Sequence, residues 1–129
     1  MSDPSLPLER LTLMDKVNVL LEDFGDHYMH WVFDIPTEID VERLNLAVRL
    51  SLTAHPLMAH RLIYGGWYPK WKPWAAIELD SFDYCELQQV ASPVEREQEV
   101  QSYLAKEMDF YKRPLVHVRI VRGEGYDTV

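Results

Sequence analysis

The side chains of this chain that could do chemistry are five histidines, one cysteine, a cluster of aromatics and a few spaced carboxylates. His27 and His30 are spaced so that a strand would turn them to opposite faces, and His60 and His117 fall in other extended segments. A metal site needs three or four ligands to converge with carboxylates behind them, so this spacing predicts none. His55 stands just before Pro56 at the end of a helical stretch, where the helix dipole favours an imidazole, and is read as structural. Arg61 is open to two readings, a partner for a carboxylate outside this chain or a surface charge. Trp67 and Trp71, with Tyr68 and Trp74, are either a loop folded over its own core or a platform for a sugar or an acyl chain. Asp80, Asp83 and Glu86 could be imagined as paired acid–base carboxylates. Nothing apolar nearby would raise either pKa, so they read as a solvated acidic segment. Cys85, alone, permits no internal disulfide and no cysteine-rich zinc site, and no neighbour stands out to activate its thiol.

Bulk properties narrow the class. The 129 residues make one domain's worth of chain, read as a single domain, with the 47% hydrophobic and 26% charged residues of an ordinary globular protein. A net charge of −8 argues against a nucleic-acid partner. No apolar run approaches the roughly 20 residues that span a bilayer. The opening Met-Ser-Asp-Pro-Ser lacks the basic and apolar regions of a secretory leader, so a cytoplasmic location is the default.

The elements that must position these residues follow from periodicity. Leu13, Val17, Leu20 and Leu21 recur at helical spacing within residues 8–23, and Gly25 is a C-terminal cap. His27 to Ile35 is aromatic and β-branched and reads as a strand closed by Pro36. Asp40 caps a helix running to about Ala54, which Pro56 stops. Met58 to Tyr64 is a strand, Trp67 to Trp74 an irregular extended piece, and Ile77 to Val90 partly extended. Ser92-Pro93-Val94-Glu95 is a capping box opening a helix to about Met108. Its solvated face carries Glu95, Arg96, Glu99 and Lys106. Val116, Val118 and Ile120 then alternate with His117, Arg119 and Val121 along a strand, Arg122-Gly-Glu-Gly turns, and Tyr126 to Val129 returns. The fold class is α/β (α+β), two layers: a mixed, largely antiparallel sheet with about three helices packed on it. The last hairpin reads as cut in mid-element, with an unprotected sheet edge near residues 115–129 that predicts self-association.

Several landmarks, in order, resemble the N-terminal half of the chloramphenicol-acetyltransferase-like superfamily, which includes nonribosomal peptide synthetase condensation domains and wax-ester-synthase-type acyltransferases. Leu13-Met14-Asp15 looks like its opening helix motif, and Tyr28 to Ile35 like its first strand. Asp40 to Val48, then Ala54-His55-Pro56-Leu57 and Arg61, are similar to its second helix and the His-x-x-Leu-Arg region after it. Met108-Asp109-Phe110, with Arg113-Pro114-Leu115 leading into the strand to Val121, resembles the Phe-Asp … Gly-Pro-Leu entry into a long strand. Arg113 departs from the glycine usual in condensation domains; wax-ester-synthase relatives more often carry arginine there.

The resemblance implies a parent acyltransferase that moves an acyl group from a coenzyme A or phosphopantetheine thioester to an alcohol or amine. The superfamily's base is the second histidine of a His-His-x-x-x-Asp-Gly motif, poised near neutral pH against the nucleophile. This sequence holds no such motif, which would lie beyond Val129. The chain is therefore expected to carry no catalytic residue, to bind no cofactor itself and to be inert alone. Its partners would be the missing C-terminal half, a carrier protein, or another chain completing its sheet, including a second copy. The competing expectation is a non-enzymatic interaction domain that pairs an open sheet edge with a partner.

Overall fold

The computed structural model describes residues 8–21 and 29–129. The expected helix end at Gly25 and the start of the strand at His27 lie outside them. The chain divides into two compact units.

The first unit combines residues 8–21, Arg49–Phe82 and Met108–Leu115. Helix α1 spans Leu13–Leu20, and its start is closed reciprocally: the Asp15 amide donates to Thr12 Oγ1 (3.2 Å) while Asp15 Oδ2 accepts from the Thr12 amide (2.9 Å). The helical spacing holds, yet the stripe is not a core stripe, because Leu13, Met14 and Leu20 are exposed. Strands β1 (Glu9–Arg10), β3 (His60–Gly65) and β4 (Tyr68–Pro73) form an antiparallel sheet in the order β1-β4-β3.

The irregular piece expected at Trp67 to Trp74 is in fact the second arm of a hairpin. Gly65 pairs with Tyr68, and Gly66 takes φ +84° at the first turn position, a glycine-specific II′-type arrangement. Two prolines in the middle strand are tolerated for a geometric reason. The Leu62 amide points outward to Phe110 O (2.9 Å), so the Leu62–Trp71 pair exchanges no ladder bonds. By alternation neither do Tyr64–Pro69 and His60–Pro73. Each proline nitrogen therefore faces the β1 side, where β1 reaches only Lys70 and Trp71. Leu11, Leu52, Ala59, Leu62, Trp74 and Leu79 are the buried apolar side chains of this unit among the described residues.

Helix α3 (Ala76–Ser81) replaces part of the expected extended segment. It lacks a Ser, Thr, Asp or Asn cap. Instead the Ala75 amide donates to Glu78 Oε2 at 2.9 Å, a closure that composition does not advertise.

The second unit combines Met29–Val48, Asp83–Glu107 and Val116–Val129. Helix α2 (Val41–Ala54) starts where Asp40 accepts from the Arg43 amide at 3.0 Å; it gives its first part to this unit and the rest, from Arg49, to the other. Helix α4 (Pro93–Leu104) is capped by Ser92, which accepts from the Glu95 amide, while the Glu95 carboxylate reaches one residue further back to the Ala91 amide. The helix ends before the expected Met108.

Strands β2 (Asp34–Ile35), β5 (Cys85–Gln89), β6 (Val118–Arg122) and β7 (Asp127–Thr128) form a mixed sheet in the order β2-β7-β6-β5. The β5–β6 pair is parallel and the others are antiparallel. The expected open edge at residues 115–129 is corrected here. β6 lies between β7 and β5, and β7 between β6 and β2. Val129 and Phe33 also exchange both backbone bonds, at 2.7 and 2.8 Å. The edge strands among the described residues are β2 and β5. Of the described part of the expected His27–Ile35 strand, Asp34 and Ile35 lie in the ladder, Phe33 bonds to Val129, and residues 29–32 are not strand. The class is mixed α/β with four helices among the described residues, and the strands form two sheets, one in each unit, rather than one sheet.

Candidate functional site

In the first unit, His55 is exposed between α2 and one turn of 3-10 helix at Pro56–Ala59, and its carbonyl accepts from the Met58 amide (2.9 Å). The neighbouring His60 is the buried imidazole. Its Nδ1 meets Pro56 O at 2.7 Å, and its Nε2 lies 3.6 Å from Glu9 Oε1. Arg61 lies with its guanidinium carbon 4.5 Å over the Trp74 ring, which Phe82 meets edge-on at 4.9 Å. Neither Arg61 Nε nor Trp74 Nε1, both buried atoms, finds a hydrogen-bond partner among the described residues.

The aromatic cluster separates by strand parity. Trp71 is half-buried and donates from Nε1 to Asp15 Oδ2 at 3.2 Å; Asp15, raised by burial but held down more by hydrogen bonds from Thr12 and Trp71, stays below the usual carboxylate value. Trp74 is 7% exposed, whereas Trp67 at the turn is 97% exposed. Of the expected site residues, Arg61 and Trp71 are thus built into the sheet of this unit. His55 and Trp67 stand apart on its surface.

Sequence reasoning missed a polar cluster in the second unit. Tyr103 of α4 brings its hydroxyl 2.6 Å from His117 Nδ1, and His117 Nε2 lies 3.6 Å from Glu86 Oε1 on β5. Arg119 on β6 reaches Glu86 Oε2 at 2.9 Å and Glu99 Oε1 at 3.1 Å, beneath the Tyr103 ring. Burial pushes the Tyr103 phenol up, opposed by the positive charge of Arg119. An imidazole between a phenol and a carboxylate can hold or pass a proton, but here Tyr103, His117, Glu86 and Arg119 each meet another side chain of the cluster. The signal was present in the alternation of His117 and Arg119 with apolar residues. It became legible only once β5 was known to lie parallel beside β6, which sets Glu86 opposite Arg119.

One further reading is corrected. Arg96, expected on the solvated face of α4, is 7% exposed. It donates to Val121 O, Thr128 Oγ1 and Tyr126 O at 2.9–3.1 Å and stacks on the Tyr126 ring. In the acidic segment Asp80 and Asp83 are exposed, Asp80 also pairing with Arg49 at 2.7 Å, whereas Glu86 is half-buried and pairs with Arg119. Among the described residues no three of His, Cys, Asp and Glu are grouped so as to hold a metal ion. Burial pushes the Cys85 thiol up to about 11.

These geometries fit one known architecture. The chain has a condensation-domain-like fold: it superposes on a solved structure of the condensation domain from the monacolin K polyketide synthase MokA with a TM-score of 0.62 over 95% of its length. The sequences are 16% identical, and this chain spans 29% of that one. No family model matches the sequence, and no curated protein matches it. Among the described residues no helix is long and apolar enough to cross a membrane.

Proposed function

We propose that this chain is the N-terminal portion of an acyltransferase of the condensation-domain type. The enzyme would transfer an acyl group from a coenzyme A or carrier-protein thioester to an alcohol or amine. The observation that carries the proposal is the superposition on a condensation domain along nearly the whole chain. In this reading the chain supplies framework rather than the base, since its histidines include no His-His pair. Arg61 serves as an anchor for a carboxylate of the remainder of the enzyme. Support comes from its Nε, buried without a partner among the described residues, and from the Trp74 ring 4.5 Å beneath the guanidinium. His55 ends α2 in a structural role, and the enzyme works in the cytoplasm without a resident cofactor.

The test is to read the coding DNA past the Val129 codon, express the product, and follow thiol release from an acyl-thioester with amine and alcohol acceptors. A His-His-x-x-x-Asp-Gly motif, with turnover lost on changing its second histidine to alanine, is the expected result. A stop codon at that point sinks the proposal. It would favour the second reading, an interaction domain, for which the specific observation is the outer side of β5, bare of any further strand among the described residues.

A further inference from the structure

Strand β4 carries its two lysines on one face of the three-stranded sheet. In an antiparallel ladder, directly opposed residues share a face. Lys70 opposes both Arg10 and Ile63, and Lys72 opposes Arg61, so four cations lie side by side with Tyr68 in the same parity. No carboxylate occurs anywhere between Glu42 and Glu78, although the chain as a whole has a net charge of −8. Among the described residues none of Arg10, Arg61, Lys70 and Lys72 is in an ion pair. Among the described residues the positive charge of this face is local; Arg10 is exposed, while Arg61, Lys70 and Lys72 are half-buried along the sheet.

At the tip beside this face stands Trp67, 97% exposed on a two-residue turn, between Tyr64 (78% exposed) and Tyr68 (64%). The tip is held in shape without being covered. Tyr64 stacks on Tyr111 at 4.8 Å, and Lys16 of α1 lies 5.3 Å over the Tyr68 ring. Indole and phenol rings at a hairpin tip, with lysines in register on the same strand, are the groups that partition into a lipid headgroup layer. Beyond about 10 Å at 0.1 M salt the chain's overall negative charge is screened, so the local cations decide the contact.

We propose that the β3–β4 hairpin docks this protein peripherally on anionic membrane surfaces, with Trp67 entering the headgroup layer and Lys70 and Lys72 meeting lipid phosphates and carboxylates. The charge complementarity of this face, which carries no carboxylate among its described ladder positions, selects this occupant over an apolar protein partner.

The experiment uses the whole chain with phosphatidylcholine vesicles, with and without phosphatidylserine, read by flotation and by quenching of tryptophan with brominated lipid. Binding is expected with phosphatidylserine and should weaken as salt rises. Trp67→Ala should lower it about tenfold or more. Lys70→Gln and Lys72→Gln should lower it about fivefold each. Trp67 touches nothing it could unfold, so its variant separates docking from folding. Failure to float, or flotation equal in Trp67→Ala and both lysine variants, overturns the proposal. So does a Trp67-dependent dimer without vesicle binding, which would make a second copy the occupant. Shielding of Trp67 from an aqueous quencher in a longer product of the same reading frame also overturns it.

Discussion

At the residue scale, two buried ionisable groups set measurable properties of the second unit. Asp127 is fully buried, accepts Arg122 bidentately and the Ile39 amide at 2.8 Å, and is held below the usual carboxylate value chiefly by the Arg122 hydrogen bonds. A carboxyl lowered in the folded state takes up its proton first in the unfolded chain as pH falls. Its contribution is thus present above the unfolded value near 3.8 and lost as pH drops through the folded one. Chemical denaturation from pH 7 downward should show a loss of stability beginning near pH 4. Asp127→Asn should flatten that slope and cost about 2 kcal/mol at neutral pH. Cys85 offers a simpler readout. With its pKa pushed up to about 11, the native thiol should resist a disulfide reagent at pH 8 and label rapidly once denatured.

At the element scale, α4 and the β6–β7 hairpin are joined by Arg96, and Gly123 leaves room for it. A Cβ at residue 123 would collide with the Arg96 guanidinium and touch Val90 Cγ2 at 3.2 Å. Gly123→Ala should therefore displace three hydrogen bonds, costing about 2 kcal/mol by thermal or urea unfolding. Ser92→Ala, which removes only the cap of α4, should cost about 1 kcal/mol. If Gly123→Ala costs less than Ser92→Ala, the buried Arg96 contacts matter less than their geometry implies. The cap at Ser92 was plain in the sequence. The burial of Arg96 was not, because its partners are backbone carbonyls and a threonine on strands some 25–32 residues away.

At the scale of the whole molecule, the chain leaves an apolar helix face on α1 exposed. Such patches usually mark a binding surface. Sedimentation velocity over a concentration series should show reversible self-association. Monomer at every loading would remove both the second-copy partner and the edge of β5 as its site.

What the sequence determined alone was local. Asp40 and Ser92 mark helix starts through hydrogen bonds that close within three residues. The ordered landmarks from Leu13 to Leu115 pointed to the fold that the superposition on a condensation domain then bore out. Tertiary structure alone decided which strands are edges, why Pro69 and Pro73 fit a middle strand, and how Glu86, Tyr103, His117 and Arg119 come together. Each of those depends on register between distant segments, and a one-residue slip in register reverses every side chain's face without altering the sequence pattern.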